Sequence, residues 1–532
     1  MCWPSGCRRR RSARGGRRSR RGPRGGTRWG SWCRRGRNRF GGCRPWPGPG
    51  NCRAGRAGPC YGHRHEARCH RCPRRHDDDA GECPGALIDV LIRSPGASAP
   101  GLRRAVTRPI STGVRHATEE TAMSDHRKLG RELGLFDTDP LIGAGLPYWL
   151  PDGATVRHTL EEYIRDAERR AGYRHVYSPV LGKRELYELS GHWSHYSDDM
   201  FPPMELGAEP GAEQVVLRPS LCPHHAVIYR SRGHSYRELP LRMAELGGMY
   251  RSELSGVLGG LTRVRSIQLN DAHIFCTLDQ VADEAAGALE MIRRAYEALG
   301  ITPARYRLSL PGPGGKYVAA PEMWRRSTAL LTDVLDRSGL PYEAVEGEAA
   351  FYGPKIDVQV ADGAGRESTL STVQVDFHQP EQFDLRYIGP DGARHRPVMV
   401  HRSIIGSVER AVAHLIEEHG GAFPAWLAPT QLVVLPISEA ELPPAEALVR
   451  RCVDLGLRAE LAGPERGSLG ARIREARLVP YQAVVGAREA DDGRVALRLR
   501  DGRRLDPLPS DEALARVGAL VAAHSTELWD AV

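Results

Sequence analysis

The chain has 532 residues and a formal net charge of +10, but the charge is unevenly distributed. Residues 1–122 contain 28 Arg, no Lys and 8 acidic residues, whereas the remainder carries 47 basic and 57 acidic residues. This acidic body excludes nucleic-acid binding through overall charge, so any nucleic acid must contact a local basic surface. No segment approaches the 18 apolar residues of a membrane span, and no continuous apolar region suits a signal peptide.

The leading stretch, residues 1–122, also holds 9 of the 12 Cys. Its Cys69-His70-Arg71-Cys72 run has the spacing of half a zinc site, and its Arg-Gly runs are compatible with RNA contact. Because few apolar residues offset the entropy of ordering, we expect disorder, and we expect the native start at Met123. The three Cys of the remainder fit a reducing cytoplasm.

Beyond Met123 the first predicted elements are a helix and a strand. Thr159 and Glu162 have capping-box spacing, and apolar residues follow at helical period from Leu160. Gly172 is placed to end the helix. A strand through residues 175–178 is then expected to stop at Pro179.

The next predicted elements are two strands joined by a long hairpin loop. The strands cover Met249–Glu253 and Arg263–Cys276 and flank a glycine-rich turn at residues 255–260. Apolar residues from Val408 to Ile416 predict a helix closed by Gly420 and Gly421. We therefore expect an α+β fold for residues 123–427, an antiparallel sheet with helices.

The pattern changes after Leu427 to alternating strands and helices. The predicted order is strand 431–437, helix 444–455, a short strand, helix 469–476 and strand 481–485. Such alternation is typical of a small α/β domain with a largely parallel sheet. We assign this domain to residues 428–532.

Three scattered residues, Cys222, His273 and His401, have the side chains of a zinc site. Alone, each is equally compatible with an ordinary buried residue, Cys222 as a small hydrophobe and each His as part of the core. Their sequence context favours the metal interpretation. The runs around them are Arg218–His225, Asn270–Phe275 and Val400–Ser407.

The surrounding motifs resemble those of class II aminoacyl-tRNA synthetases. The run Tyr250–Glu253, the glycine-rich turn and Arg263–Arg265 resemble motif 2, and Gly406–Arg410 resembles motif 3. The predicted helix and the strand ending at Pro179 look like motif 1. Two further runs, Ser235–Arg242 and Phe351–Asp357, narrow the resemblance to the threonyl-tRNA synthetase family over about residues 124–532.

The resemblance implies ATP-dependent activation of an amino acid. Arg251 would bridge the amino-acid carboxylate and the α-phosphate, and Glu253 would receive the adenine amino group. Arg263 and Arg410 would hold the terminal phosphates, bridged by Mg²⁺. Arginine suits this chemistry because its planar fork stays protonated and donates bidentate hydrogen bonds.

The resemblance also implies how the amino acid is chosen. One Zn²⁺ per subunit on the three predicted ligands would leave a position open for the amino and hydroxyl groups of threonine. Asp271 matches the acceptor of that hydroxyl, and Tyr352 and Gln374 match residues near the amino group. A site that demands a hydroxyl rejects valine strongly.

For partners, the resemblance implies tRNA and a second copy of the chain. Motif 1 forms the dimer interface in this family, and residues 428–532 resemble its anticodon-binding domain, where Glu489 and Arg498 match anticodon readers. Pro464 occupies a position where a polar contact is expected. We expect a cytoplasmic, short form without the ubiquitin-like and editing domains of longer members.

Several positions depart from the family pattern. Ile267, Leu269 and Thr369 replace a phenylalanine and two glutamines, and Ser220-Leu221 replaces Met-Asn before Cys222. These changes keep two alternatives open. The chain could be an isozyme that tolerates an inhibitor of the enzyme, or a paralogue with a regulatory or non-tRNA role.

Overall fold

The computed structural model describes residues 125–209, 211–314 and 316–529. The predicted leader and Met123 lie outside the described residues. Within them, no helix is long and apolar enough to cross a membrane.

The α-helices of the described residues are, in chain order, α1 His126–Glu132, α2 Pro151–Arg170, α3 Arg184–Leu189, α4 His192–Tyr196, α5 Cys222–Arg230, α6 Val281–Leu299, α7 Pro321–Ser338, α8 His378–Gln382, α9 Val408–His419, α10 Leu442–Asp454, α11 Leu469–Glu475, α12 Ala487–Asp491 and α13 Ser510–Ala522.

The strands of the same residues are β1 Phe136–Asp137, β2 Tyr148–Trp149, β3 Arg174–His175, β4 Leu181–Lys183, β5 Met204–Glu205, β6 Gln214–Leu217, β7 Leu241–Tyr250, β8 Ser266–Cys276, β9 Arg305–Leu310, β10 Tyr342–Glu346, β11 Lys355–Ala361, β12 Glu367–Asp376, β13 Tyr387–Ile388, β14 Arg394–His395, β15 Val398–Ser403, β16 Leu432–Pro436, β17 Ala459–Leu461, β18 Tyr481–Val485, β19 Arg494–Leu499 and β20 Leu508–Pro509.

An eight-stranded sheet forms the centre of the first part, with the order β10-β9-β11-β12-β15-β8-β7-β3. Its five central pairings are antiparallel, and the outermost pairing at each edge is parallel. The predicted antiparallel sheet with helices is confirmed.

The two faces of this sheet differ because side chains alternate along each strand. On β8, Ala272, Ile274 and Cys276 belong to the main hydrophobic core, which also contains apolar residues of α2, α6, α7 and α9. The intervening Asp271 and His273 therefore face the opposite side, which we call the site face. Predicted functional residues of β8 share this face.

Helix α2 begins earlier than its sequence pattern predicted. It starts with Pro151 at its first turn, so Thr159 lies inside the helix and the predicted capping box is wrong. Proline suits the first turn of a helix because its φ is fixed near the helical value and the N–H that it lacks would have no helical partner there. The end was predicted correctly, because the helix stops at Arg170 and Gly172 adopts φ +81°.

The strand boundaries also differ from the predictions. Strand β3 covers two residues rather than 175–178, and β7 ends at Tyr250, which leaves Arg251 and Glu253 in the following loop. Strand β8 begins at Ser266, and just before it the side chain of Arg265 donates hydrogen bonds to the backbone carbonyl of Glu253.

Helix α9 follows its prediction closely. The Ser407 hydroxyl accepts the N–H of Arg410 and caps the helix start, and Gly420 ends it with φ +56°. Since a left-handed residue at this position favours glycine, sequence and backbone agree here.

The second sheet has the order β17-β16-β18-β19-β20. Strands β17, β16 and β18 are parallel, whereas β19 and β20 are antiparallel to their neighbours. The predicted α/β domain with alternating elements is present, but the sheet is mixed rather than largely parallel. The prediction stopped at residue 485 and therefore missed the two antiparallel strands.

Candidate active site

A cavity of about 470 Å³ opens on the site face of the central sheet. It combines charged, polar and apolar side chains from strands β7, β8, β12 and β15 and the neighbouring loops. The predicted site residues that line it are Arg251, Glu253, Arg263, Asp271, Tyr352, Gln374, His401 and Arg410. An adjacent cavity of about 690 Å³ shares Arg263 and Arg410, but its lining includes none of the predicted metal ligands.

The three predicted ligands, which we call the donor cluster, lie together. Donor atoms of Cys222, His273 and His401 are all within 4.8 Å of one another, and all three residues are buried. His273 and His401 are directly opposite each other on β8 and β15, and Cys222 is the first residue of α5. The fold therefore brings three donors from distant parts of the sequence together.

The hydrogen bonds of the donor cluster suit a metal ion. The carboxylate of Asp376 lies 2.8 Å from His401 Nε2, which places the proton there and leaves the lone pair on Nδ1. This Nδ1 lies 3.0 Å from His273 Nε2. Two nitrogens on a tetrahedral zinc lie about 3.3 Å apart, given Zn–N distances of about 2.0–2.1 Å. Spacing and donor type therefore fit zinc.

Cys222 has two polar neighbours, of which the sequence had drawn attention only to Ser220, as a departure from the family pattern. Its Sγ lies 3.0 Å from Ser220 Oγ and 3.5 Å from Nε2 of His192, a buried residue at the start of α4. Burial raises the pKa of the Cys222 thiol well above its ordinary value. A bound cation would oppose that effect, because metals deprotonate the thiols that coordinate them.

A polar wall, formed by Asp271, Tyr352 and Gln374, lies beside the donor cluster. Asp271 is two residues before His273 and 8% exposed, and burial raises its pKa. The hydroxyl of Tyr352 donates to Gln374 Oε1 over 2.8 Å, and the Tyr352 ring stacks on His401 with centroids 4.8 Å apart. The structure thus brings the predicted substrate residues next to the predicted metal ligands.

Three arginines converge at the other end of the cavity. Arg410 donates to the carbonyl oxygens of Thr262 and Thr369 over 3.2 and 2.9 Å. Its pKa is lowered by burial and by the positive charges of Arg251 and Arg263. Such mutual repulsion would be relieved by an anion, so this end suits phosphate groups.

Two residues expected to bind different parts of ATP contact each other instead. The Arg263 side chain lies 2.7 Å from Glu253 Oε2. Glu253 is largely buried, whereas half of the Arg263 side chain is exposed. A nucleotide that used both groups as predicted would have to replace this ion pair.

The departures from the family pattern are located at the cavity. Ile267 and Leu269 lie on the same face of β8 as Asp271, and Thr369 lines the cavity from β12. The Thr369 hydroxyl accepts a hydrogen bond from the Gln359 side-chain amide over 2.8 Å. These three residues therefore form part of the cavity wall.

The predicted anticodon readers lie on two elements of the second sheet region. Glu489, in α12, accepts the N–H of Gly486 over 3.2 Å and caps that helix. Arg498 lies on β19 opposite Gln482. Pro464 begins a short 3-10 turn that ends at Arg466. Contacts of these residues with RNA stay a prediction.

Comparison with known proteins agrees with both parts of this architecture. Residues 205–419 match the family "tRNA synthetase class II core domain (G, H, P, S and T)", and residues 431–520 match the family "Anticodon binding domain".

Two bacterial threonine–tRNA ligases match about three quarters of this chain. It is 50% identical to threonine–tRNA ligase 1 of Bacillus subtilis, with 75% of this chain and 62% of the relative covered. For threonine–tRNA ligase of Geobacillus kaustophilus the identity is 49%, with 78% and 63% covered. The chain therefore spans a little under two thirds of the length of these relatives.

A solved structure covers a similar range. The RNA binding domain of threonyl-tRNA synthetase from Cryptosporidium parvum Iowa II is 34% identical, with a TM-score of 0.69 and coverage of 76% of this chain and 99% of that structure. Identity and coverage at this level, with the two matching domain families, establish that this chain belongs to the threonyl-tRNA synthetase family.

Proposed function

We propose that the chain ligates threonine to the 3′ end of its tRNA in an ATP-dependent reaction that passes through threonyl-adenylate. The observation that carries the proposal is the convergence of Asp271, three arginines and His401, one member of the donor cluster, on one cavity. Adenylate formation joins a carboxylate to an α-phosphate, so it needs a selective amino-acid site beside concentrated positive charge. Both requirements are met within this cavity.

We propose that Cys222, His273 and His401 hold one Zn²⁺ per subunit. Zinc held by these three residues would supply a Lewis acid that binds the amino and hydroxyl groups of the amino acid. Asp271 would accept a hydrogen bond from the hydroxyl group of threonine, and Tyr352 and Gln374 would orient its amino end. Valine would leave the buried Asp271 carboxylate without a hydroxyl partner, which costs about 1–3 kcal/mol or more.

For activation, the arginines take the anionic parts of both substrates. Arg251 would bridge the threonine carboxylate and the α-phosphate and so bring two like-charged groups together. Arg263 and Arg410 would hold the terminal phosphates with Mg²⁺, and Glu253 would accept the adenine amino group. Because guanidinium groups remain protonated, they stabilise charge at the phosphorus without a proton transfer.

Further parts of the proposal concern partners. Residues 428–532 would bind the anticodon through Glu489 and Arg498, and residues 123–427 would form the catalytic domain. Two copies would pair near β3, a two-residue edge strand followed by the exposed Tyr177. A cytoplasmic location would give this chain access to the proposed substrates. Sedimentation of the full chain tests the dimer.

The direct test is aminoacylation of tRNA by the full chain with threonine, serine or valine, together with ATP–pyrophosphate exchange. We expect threonine to be activated and attached. Serine carries the selected hydroxyl, so binding should favour threonine by only about 10- to 200-fold. Valine should react far more slowly. Absence of threonine-dependent exchange in a zinc-loaded chain, or equal use of valine and serine, would refute the proposal.

Of the two alternatives, the regulatory paralogue is not favoured, because the cavity keeps the arginines that activation requires. Tolerance of an inhibitor is compatible with the same chemistry. Ile267, Leu269 and Thr369 all line the cavity, so an altered fit for an inhibitor stays a prediction. Charging assays with and without an inhibitor test it.

A further inference from the structure

Behind the donor cluster lies a buried pair that the sequence patterns did not single out, His225 of α5 and Glu245 of β7. His225 Nδ1 is 2.7 Å from Nδ1 of the predicted ligand His273. On its other side, His225 Nε2 is 3.1 Å from Glu245 Oε2. His225 is fully buried and Glu245 is 3% exposed, so solvent does not replace either contact.

The surroundings of Glu245 determine its charge. Arg218 Nη2 donates to Oε1 over 3.0 Å, and the Ser178 hydroxyl donates to Oε2 over 2.6 Å. Burial raises the pKa of Glu245, but hydrogen bonds from His225 and Ser178 and the charge of Arg218 outweigh burial and bring this pKa to about 2. Glu245 is therefore an anion whose charge Arg218 already balances.

The anionic carboxylate determines the proton positions along the chain of contacts. It needs a donor, so the proton of His225 lies on Nε2. In an imidazole that carries a single hydrogen the other ring nitrogen is the acceptor, so Nδ1 accepts. Nδ1 of His273 must then carry the hydrogen that it accepts, which leaves the lone pair of His273 on Nε2, towards His401.

The second histidine of the donor cluster has a shorter version of the same arrangement. Asp376 accepts directly from His401 Nε2 over 2.8 Å, and its other oxygen accepts the backbone N–H groups of His378 and Gln379. One ligand is thus oriented by a carboxylate and the other by a carboxylate acting through an imidazole. Both arrangements leave a lone pair directed into the donor cluster.

We propose that His225 and Glu245 are positioning residues that hold His273 in the tautomer and orientation that bind the metal. The inference rests on the proposed zinc site and concerns residues outside its ligand set. Partners of this kind generally change metal affinity or activity by roughly 10- to 100-fold. We call the chain Glu245–His225–His273 the imidazole relay.

The test measures Zn²⁺ affinity of the full chain by competition with a chromogenic chelator, without amino acid or ATP. His225→Phe keeps an aromatic ring but removes the acceptor, and we expect affinity to fall by roughly 10- to 100-fold. His225→Asn places an amide oxygen near the former Nδ1, and it should recover part of the loss. His224→Phe, at the neighbouring buried position of α5, is the matched control and should keep the affinity of the unmodified chain.

Two more measurements and one more variant separate positioning from general damage. Thermal unfolding of the metal-free variants identifies a folding defect, and Glu245→Gln interrupts the imidazole relay without changing side-chain volume. The visible spectrum of the Co²⁺-substituted chain should also change in His225→Phe, because it reports ligand geometry.

Unchanged Zn²⁺ affinity in Glu245→Gln and in a folded His225 variant would overturn the imidazole relay while leaving the proposed zinc site intact. Failure of the unmodified chain to bind Zn²⁺ would overturn the zinc site itself, and the imidazole relay with it.

Discussion

The cavity has two ends that are organised differently: one borders the donor cluster through His401, and the other holds the three arginines. In the donor cluster, both histidines are buried and each contacts a second buried polar group of the protein, as with Asp376 and His401. At the arginine end, Arg410 is crowded by two like charges, and half of the Arg263 side chain is exposed. The first end is preorganised for a small ion, whereas the second gains its best partners only when an anion binds.

This difference predicts that the donor cluster is the more sensitive end. His273→Ala or Cys222→Ala should abolish both zinc retention and threonine-dependent pyrophosphate exchange, because two donors rarely hold zinc in place of three. Metal analysis and exchange assays on the same preparations measure both effects.

The matched control for the cysteine change is Cys276→Ala. Cys276 is also buried, but it lies in the hydrophobic core on the opposite face of the sheet from His273. It should retain zinc and exchange activity. Full zinc in His273→Ala would contradict the donor assignment.

At the arginine end we expect a large loss of rate without loss of metal. Arg410→Ala removes a buried cation aimed at the cavity, and loss of one such donor costs roughly 10²- to 10³-fold in kcat, or about 3–4 kcal/mol. Arg251→Ala should behave similarly. Pyrophosphate exchange gives the rate, and metal analysis should show unchanged zinc.

Arg366→Ala controls for removal of an arginine nearby. Its side chain is 81% exposed and pairs with Asp362 beside the adjacent cavity. Exchange should change little, because exposed ion pairs contribute about 0–1 kcal/mol. A loss equal to that of Arg410→Ala would mean that net charge, and not the placement of Arg410, supports the reaction.

Glu409, the residue before Arg410, is a buried acid whose hydrogen bonds do not offset the cost of burying its charge. Burial, which hydrogen bonds oppose only partly, raises its pKa to about 7. The folded protein therefore prefers the protonated acid. This contribution to stability is complete below about pH 4.5 and is lost as pH rises through about 7, at a cost of up to about 3 kcal/mol.

Glu409→Gln should raise the melting temperature at pH 8 and change it little at pH 5. The glutamine carbonyl can still accept the Gln268 N–H, which Glu409 accepts over 3.0 Å. Thermal unfolding across this pH range measures the effect, and Glu418→Gln, at an exposed position of the same helix, is the control. Equal stabilisation at both pH values would show that Glu409 does not titrate there.

A smaller effect is expected for Arg263, which already has a protein partner. In the proposed function, ATP would gain this side chain only by replacing its contact with Glu253, so the net contribution of the arginine would be reduced. Arg263→Ala should raise the KM for ATP about tenfold, which corresponds to about 1.4 kcal/mol. Arg325→Ala, which removes an exposed arginine of α7, should leave KM unchanged. A loss of exchange rate in Arg263→Ala as large as that in Arg410→Ala would show that the contact with Glu253 does not reduce the contribution of Arg263.

The two ends also differ in how much of them the sequence could predict. Motif resemblance identified the donor cluster and the arginines by type and position. The imidazole relay escaped because His225 lies 48 residues from His273 and 20 from Glu245, and no local pattern marks such contacts. The Glu253–Arg263 pair was also missed, since the resemblance assigned each residue to ATP.

For the fold, local signals predicted best where they were strong and isolated. Ser407 and Gly420 bracket α9, and β18 covers the predicted residues 481–485. The start of α2 was wrong because a capping-box spacing inside the helix competed with the weaker signal of Pro151. Edge strands such as β3 and β10 depend on partners far along the chain, which periodicity alone does not reveal.

The Tyr352 ring stacks on His401 of the donor cluster, and the Tyr352 hydroxyl donates to Gln374 in the polar wall. Removing the hydroxyl alone therefore separates the contributions of these two contacts. Tyr352→Phe keeps the ring that stacks on His401 but removes the hydroxyl that donates to Gln374. Loss of one such hydrogen bond costs about 1 kcal/mol, so the KM for threonine should rise about fivefold. Zinc content should not change, because the His401 hydrogen bond to Asp376 remains.

Tyr342→Phe is the matched control for this last change. Tyr342 lies on the edge strand β10, away from the cavity, and its hydroxyl donates to Asp336 of α7. Removing this hydroxyl should therefore leave the KM for threonine constant. Zinc loss in Tyr352→Phe would mean that the hydroxyl supports the donor cluster, and the boundary between the metal and substrate parts of the cavity would have to move. An unchanged KM would remove Tyr352 and Gln374 from the proposed amino-acid site.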